Sequence, residues 1–127
     1  MQKRVLIIED SPVMRELLIL AFRGHPSVDI DQAGDGMAGI QAIRSASEPY
    51  ALVLLDLNMP VMDGMKFLGF LAEEESAAST VVAVVTTEHS AQAEKQARAL
   101  GARYYLRKPI KRRDIEQIIR EVIADDD

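Results

Sequence analysis

The chain contains no cysteine, little aromatic residue (5%), fewer bases than acids, and no apolar run of bilayer length. Without cysteine it has neither disulfides nor thiolate metal sites. Met1-Gln2-Lys3-Arg4 leads straight into a strand pattern and no long apolar stretch follows. Neither a signal peptide nor a membrane span is therefore expected, and a reducing cytoplasm is the expected compartment. Fifteen basic against twenty acidic residues leave a net charge of −5, which argues against direct nucleic-acid binding and against a membrane partner. The 127 residues leave room for one domain, and 48% hydrophobic content is enough to bury a core without staples.

What is present is an alternation of strand and helix, repeated through the chain. Residues 5–8 form the first strand, and Ser11 and Pro12 suit the N-cap and first position of the helix after it. Val13, Leu17, Leu20 and Ala21 are expected to be its inward stripe, and Gly24 and Pro26 stop it. Val28 and Ile30 alternate with Asp29 and Asp31, as in a half-exposed edge strand. Asp35-Gly36 opens the second helix, with Ile40 and Ile43 inward. Residues 52–55 and 81–85 are continuous apolar runs, as in strands covered on both faces. Asp63 caps a third helix with Phe67, Leu68 and Leu71 inward, and residues 73–75 mark its solvated end. The fourth helix (91–100) offers mainly Ala93, Ala97 and Leu100, so it should be weakly held, and it stops at Gly101. A short strand at 104–106 precedes a fifth helix whose Ile115, Ile118, Ile119, Val122 and Ile123 keep helical spacing. Residues 125–127, all Asp, read as a frayed tail. Right-handed crossovers give a doubly wound parallel α/β sheet of order 2-1-3-4-5.

The strand ends carry the chemistry. Glu9-Asp10 follows the first strand, Asp56 the third, Thr86 the fourth and Lys108-Pro109 the fifth, with Asn58, Met59, Pro60, Asp63 and Gly64 just behind Asp56. A carboxylate at the mouth of a buried strand is costly unless something uses it. In this topology ligands bind beyond the carboxyl ends of the strands, at the point where connections leave for opposite faces, which is where Glu9, Asp10 and Asp56 stand. Three such carboxylates repel, and a hard divalent cation holds them all ionised. Oxygen ligands point to Mg²⁺, with Mn²⁺ as a substitute. The expected ligands are Asp10, Asp56 and the backbone carbonyl of Asn58, with Glu9 acting through water. Asp56 is also a candidate nucleophile able to form an aspartyl phosphate. Lys108 supplies a compact positive charge and Thr86 a hydroxyl donor for the phosphoryl oxygens. Singly, Thr86 is an ordinary strand-end residue and Lys108 a surface lysine; their order and placement argue otherwise.

These residues, in this order, resemble the receiver domains of two-component response regulators, with the small stand-alone chemotaxis regulator as the nearest shape. The resemblance runs from residue 4 to about 123 and rests on Glu9-Asp10, Asp56-Leu57-Asn58-Met59-Pro60 with Asp63-Gly64, Thr86, and Lys108-Pro109. Glu9 stands where a pair of aspartates is commoner. The resemblance implies a flavodoxin-like (βα)5 fold and a single receiver domain over residues 1–127. It also implies a phosphoacceptor that promotes its own phosphorylation and dephosphorylation and is not otherwise an enzyme. Asp56 is then phosphorylated from a histidine kinase or a histidine phosphotransfer protein, and the Lys108-Pro109 bond is cis. Thr86 moves toward the phosphoryl group, Tyr105 turns inward, and the face of the fourth helix, fifth strand and fifth helix changes for a downstream protein, as a monomer or a phosphorylation-dependent dimer. Asn58 and Glu88 hold positions that influence the lifetime of the acyl phosphate.

Tyr105 can equally be a plain edge-strand aromatic; the switch role is given to it and the core role to Tyr104, since neighbours on a strand face opposite ways. Arg103, Arg107, Lys108, Lys111, Arg112 and Arg113 concentrate positive charge in an acidic chain. They form either a docking patch for an acidic partner (Arg107, Lys111, Arg112, Arg113) or a solvated face steadied by Arg112–Glu116 and Glu116–Arg120 pairs. His25 and His89 read as exposed loop residues, and Met59, Met62 and Met65 as filler. Three other readings compete. A haloacid-dehalogenase-like phosphatase needs a second aspartate two residues after the nucleophile, where this chain has Asn58. A flavin carrier needs a Ser/Thr-rich phosphate loop where this chain has Glu9-Asp10. A receiver within a longer regulator is the third, and the acidic tail is expected to favour a single-domain protein over it.

Overall fold

The computed structural model describes residues 2–123, and the expected acidic tail lies outside them. Strands β1 (Lys3–Ile8), β2 (Val28–Ala33), β3 (Leu52–Leu55), β4 (Val81–Thr86) and β5 (Tyr104–Arg107) form one parallel sheet in the order β2-β1-β3-β4-β5. Helices α1 (Pro12–Leu20), α2 (Gly36–Ser45), α3 (Gly64–Ala72), α4 (Ala91–Ala99) and α5 (Arg112–Ile118) connect or follow the strands; a π-helical turn, Ile119–Ile123, continues α5. The expected topology is the observed one.

Alternation along the central strands divides two cores. Leu6, Ile8, Val53, Leu55, Val82 and Val84 face Ile43, Phe67, Leu68, Leu71 and Ala97 of α2, α3 and α4. Val5, Ile7, Leu52, Leu54, Ala83 and Val85 face Leu18, Phe22, Ile115, Ile118 and Ile119 on the other side. With apolar cover on both faces, every position of β3 is buried. Each large aliphatic side chain so buried contributes roughly 1.5–3 kcal/mol.

Local signals set the helix starts. Ser11, Asp35 and Asp63 each accept a hydrogen bond from the backbone N–H three residues on, and Ser90 does the same for α4. Such caps contribute about 1 kcal/mol each. Gly101, at φ +111°, ends α4 in the left-handed region. Only Ala97 of α4 is fully buried, in keeping with a lightly anchored helix.

Helix α1 departs from expectation. Val13, Leu17 and Leu20 are 72%, 54% and 45% exposed, while Leu18 and Phe22 are buried and Ala21 packs beside them. The helix is apolar on most sides, so periodicity offered two adjacent stripes, and the sheet took the other one. The edge strand β2 is fastened through Asp31, which accepts from Arg4 (2.5 Å) and from the Tyr50 hydroxyl (2.6 Å). Burial, then the Asp31 carboxylate, push the Tyr50 hydroxyl up to about 12.

Candidate phosphoryl and metal site

Register brings the strand-end residues to one edge of the sheet. Ile8 pairs with Leu55 and Leu55 with Val84, while Thr86 pairs with Arg107. The next residues continue the ladders: Asp56 N–H donates to Ile8 O (3.1 Å) and Lys108 N–H to Thr86 O (2.7 Å). Glu9, Asp10, Asp56, Thr86 and Lys108 are thereby neighbours.

Glu9 is 1% exposed. Its carboxylate accepts from Lys108 Nζ (2.8 Å) on one oxygen and from Ser11 N–H (3.0 Å) on the other. Burial pushes this carboxyl above the ordinary range, opposed by those two hydrogen bonds; the nearby Asp56 charge adds to the rise. Lys108 Nζ is 3.5 Å from Asp56 Oδ2, so a single ammonium serves two buried acids and lies closer to Glu9. Asp56 Oδ1 accepts from Asn58 N–H (3.1 Å). Asp10 is exposed.

Carboxylate oxygens of Glu9, Asp10 and Asp56 lie within 4.8 Å of one another. An all-oxygen set that close, partly buried and with one exposed member fits a hard divalent cation that keeps some of its waters. Both Glu9 oxygens are already engaged in hydrogen bonds.

The Lys108-Pro109 peptide is cis. Thr86 is buried, and its hydroxyl oxygen accepts from Glu88 N–H (3.2 Å). Tyr105 is buried with its hydroxyl donating to Glu88 O (3.0 Å). The backbone of Glu88 therefore joins Thr86 to Tyr105, a connection invisible in sequence because it runs through peptide groups. Tyr105 takes the core place expected for Tyr104, which is half-exposed, donates to Glu121 and carries the Arg103 guanidinium over its ring. The inner face of β5 meets α4, whose small alanines leave room for a ring.

Arg107 of the expected basic patch is exposed but already paired. Its guanidinium is tied to Glu94 of α4 (2.8 Å) and lies 5.8 Å from the centre of the Tyr105 ring. Lys111, Arg112 and Arg113 are exposed. Arg112 approaches Glu116 at 3.9 Å, but no Glu116–Arg120 pair forms among the described residues. The wider π-helical turn begins between those two residues and breaks their i,i+4 alignment. His89 is exposed, with Nε2 3.2 Å from Lys108 O; His25 is half-buried, lining a groove between α1 and α5.

Two contacts escaped sequence reasoning. Asn58 Nδ2 donates to Thr87 Oγ1 (3.0 Å), linking the two loops beside Asp56, and Arg15 reaches Glu9 O (2.6 Å). A cation in the first turn of α1, where the helix dipole disfavours it, was the available signal for Arg15. In the loop after Asp56, Val61 sits at φ +70° and is 81% exposed. A β-branched residue is strained there by on the order of 1–3 kcal/mol. Val61→Gly is expected to raise the unfolding free energy by about 1 kcal/mol after the entropy of the added glycine is counted. A lowered urea midpoint would show instead that the valine is held by packing.

Residues 5–120 match the family described as the response regulator receiver domain. The chain is similar to the chemotaxis protein CheY of Treponema pallidum, 30% identical over 122 residues, covering 94% of this chain and 82% of that one. It is also 30% identical over 113 residues to a protein-glutamate methylesterase/protein-glutamine glutaminase of Rhodospirillum centenum, covering 88% of this chain but spanning only 28% of that relative. Among solved structures, a CheY-like receiver domain protein of Methanospirillum hungatei shares the fold with a TM-score of 0.85 at 22% identity, covering 98% of this chain and 96% of that one.

Proposed function

The chain belongs to the response regulator receiver domain family of two-component signalling, and from that premise we propose that Asp56 accepts a phosphoryl group from a protein phosphohistidine. The observation that carries this reading is a buried Asp56 carboxylate 3.5 Å from Lys108 Nζ and beside the Glu9–Asp10 pair. An Asp56 oxygen attacks phosphorus, the O–P bond forms as the N–P bond of the donor breaks, and the electron pair leaves with the donor imidazole, which takes up a proton. The Lys108 ammonium draws toward the incoming phosphoryl oxygens. The Thr86 hydroxyl, whose oxygen accepts from Glu88 N–H, retains its own proton to donate. Asp10, Asp56 and the Asn58 carbonyl would hold Mg²⁺, or Mn²⁺ in its place, with Glu9 acting through water. Bound there, the cation supplies charge neutralisation for the transferring group.

Movement of Thr86 toward the phosphoryl group pulls on Glu88 N–H, and the same residue's carbonyl holds Tyr105. That supports a switch running from Asp56 to the α4, β5, α5 face, with Tyr105 already inward in this structure. Asn58 and Glu88 flank the site and are assigned to phosphoryl lifetime. The exposed Leu17 and Leu20 border a groove of about 640 Å³ lined also by Pro109, Ile110 and Arg112. This apolar rim beside the Asp56 edge suits a protein donor, and Lys111, Arg112 and Arg113 favour an acidic border on it. Residues 1–127 then work as a single receiver domain in the cytoplasm. Asn58, two residues after Asp56, is no acid, so a phosphatase mechanism has no proton donor at that position.

The test is incubation with Mg²⁺ and acetyl phosphate, followed by intact mass. Wild type is expected to gain one phosphoryl group and Asp56→Asn none. Uptake persisting in Asp56→Asn, or absent from both, would sink the assignment.

A further inference from the structure

We infer that Arg15 is a positioning residue for the acidic pair, fixing the Glu9–Asp10 peptide so that Asp10 faces the cation. The inference rests on the metal reading of the site. Glu9 is pinned by its carboxylate to Lys108 and Ser11, and by its N–H to Ala33 O (3.0 Å). Its carbonyl accepts from Arg15 Nη1 at 2.6 Å, the one side chain among the described residues that holds this peptide. Arg15 Nε in turn donates to Gln32 Oε1 on β2 (3.0 Å), so the guanidinium braces the end of β1 from α1 and from the neighbouring strand. Asp10 differs from its partners: its exposed carboxylate receives no hydrogen bond from any described residue. Its direction is inherited from its backbone, and therefore from the groups that fix the Glu9 carbonyl. A half-buried cation in the first turn of a helix works against the helix dipole; orientation of the acidic pair is the use that explains it.

Groups that orient a metal ligand typically carry about a 10–100-fold effect on metal affinity. Calorimetric titration of the full chain with Mg²⁺ alone, with no phosphodonor, is expected to show the dissociation constant rising about tenfold in Arg15→Met. That substitution keeps helix propensity and an apolar stem. Arg15→Lys should recover part of the affinity, and Gln32→Leu should weaken it in the same direction but less. Phosphorylation by acetyl phosphate should fall at limiting Mg²⁺ and return at saturating Mg²⁺. An unchanged dissociation constant in Arg15→Met would overturn the inference while leaving the phosphoacceptor reading intact. A phosphorylation defect equal at limiting and saturating Mg²⁺ would overturn it as well, because a general loss of structure behaves that way. Failure of the phosphoacceptor reading shows separately, in the wild-type and Asp56→Asn mass comparison.

Discussion

Lys108→Met is expected to lower the unfolding free energy of the metal-free protein by about 3 kcal/mol at pH 7, the usual cost of removing one partner of a buried ion pair. Lys108 Nζ is 2.8 Å from Glu9 and 3.5 Å from Asp56, and all three side chains are largely buried. Without the ammonium, two acids face each other with no cation. The deficit should depend on pH in a definite direction. Burial already holds the Glu9 carboxyl above its ordinary value, so the folded protein takes up that proton more readily than the unfolded chain. The stability this brings is fully present below the unfolded value of about 4.3 and is lost as pH rises through the folded value. The variant should thus approach wild type in acid and fall away toward neutrality. Mg²⁺ should restore it: at a hundredfold excess over the dissociation constant, binding adds about 2.7 kcal/mol. The variant should also bind the cation more tightly, since Lys108 competes for the same carboxylates, while the phosphoryl-driven switch is lost. Urea unfolding at several pH values, with and without Mg²⁺, measures each part; equal deficits at pH 4 and pH 7 would refute the account.

Gly64→Ala is expected to cost about 3 kcal/mol and to slow phosphorylation at least tenfold. A Cβ on Gly64 would lie 2.6 Å from Leu57 Cα and 2.7 Å from Asp56 O. Those are backbone atoms, and Gly64 N–H already donates to Leu57 O (2.9 Å). The methyl group can be admitted only by moving α3 or the peptide that carries Asp56. Gly69→Ala in the same helix is the control, because a Cβ there meets nothing within 4 Å. It should stabilise the protein by roughly 0.5–1 kcal/mol, the ordinary helix gain of alanine over glycine. Opposite signs from the same substitution in one helix would tie the first effect to the contact with Asp56. A Gly64→Ala midpoint within the range of Gly69→Ala would show that the loop yields freely.

The grouping of the candidate site residues was legible in the sequence because each ends a strand or directly follows one. Apolar runs locate the strands, the right-handed crossover rule orders them, and a parallel sheet in register must then bring Glu9, Asp56, Thr86 and Lys108 to one edge. The helix caps Ser11, Asp35 and Asp63 were legible for a similar reason, since their hydrogen bonds reach only three residues along the chain. Choices among physically similar alternatives were not. Which apolar stripe of α1 turns inward, and which of Tyr104 and Tyr105 fills the space beside α4, depend on the shape of the surfaces they meet. The partners of long side chains were equally hidden. Lys108 settles nearer Glu9 than Asp56, Arg107 goes to Glu94, and Arg15 braces the Glu9 carbonyl, because flexible cations select among acceptors that only tertiary structure brings within reach. Order along the chain determines which chemical groups share the site; packing decides their distances, their protonation and the backbone of Glu88 that connects Asp56's surroundings to Tyr105.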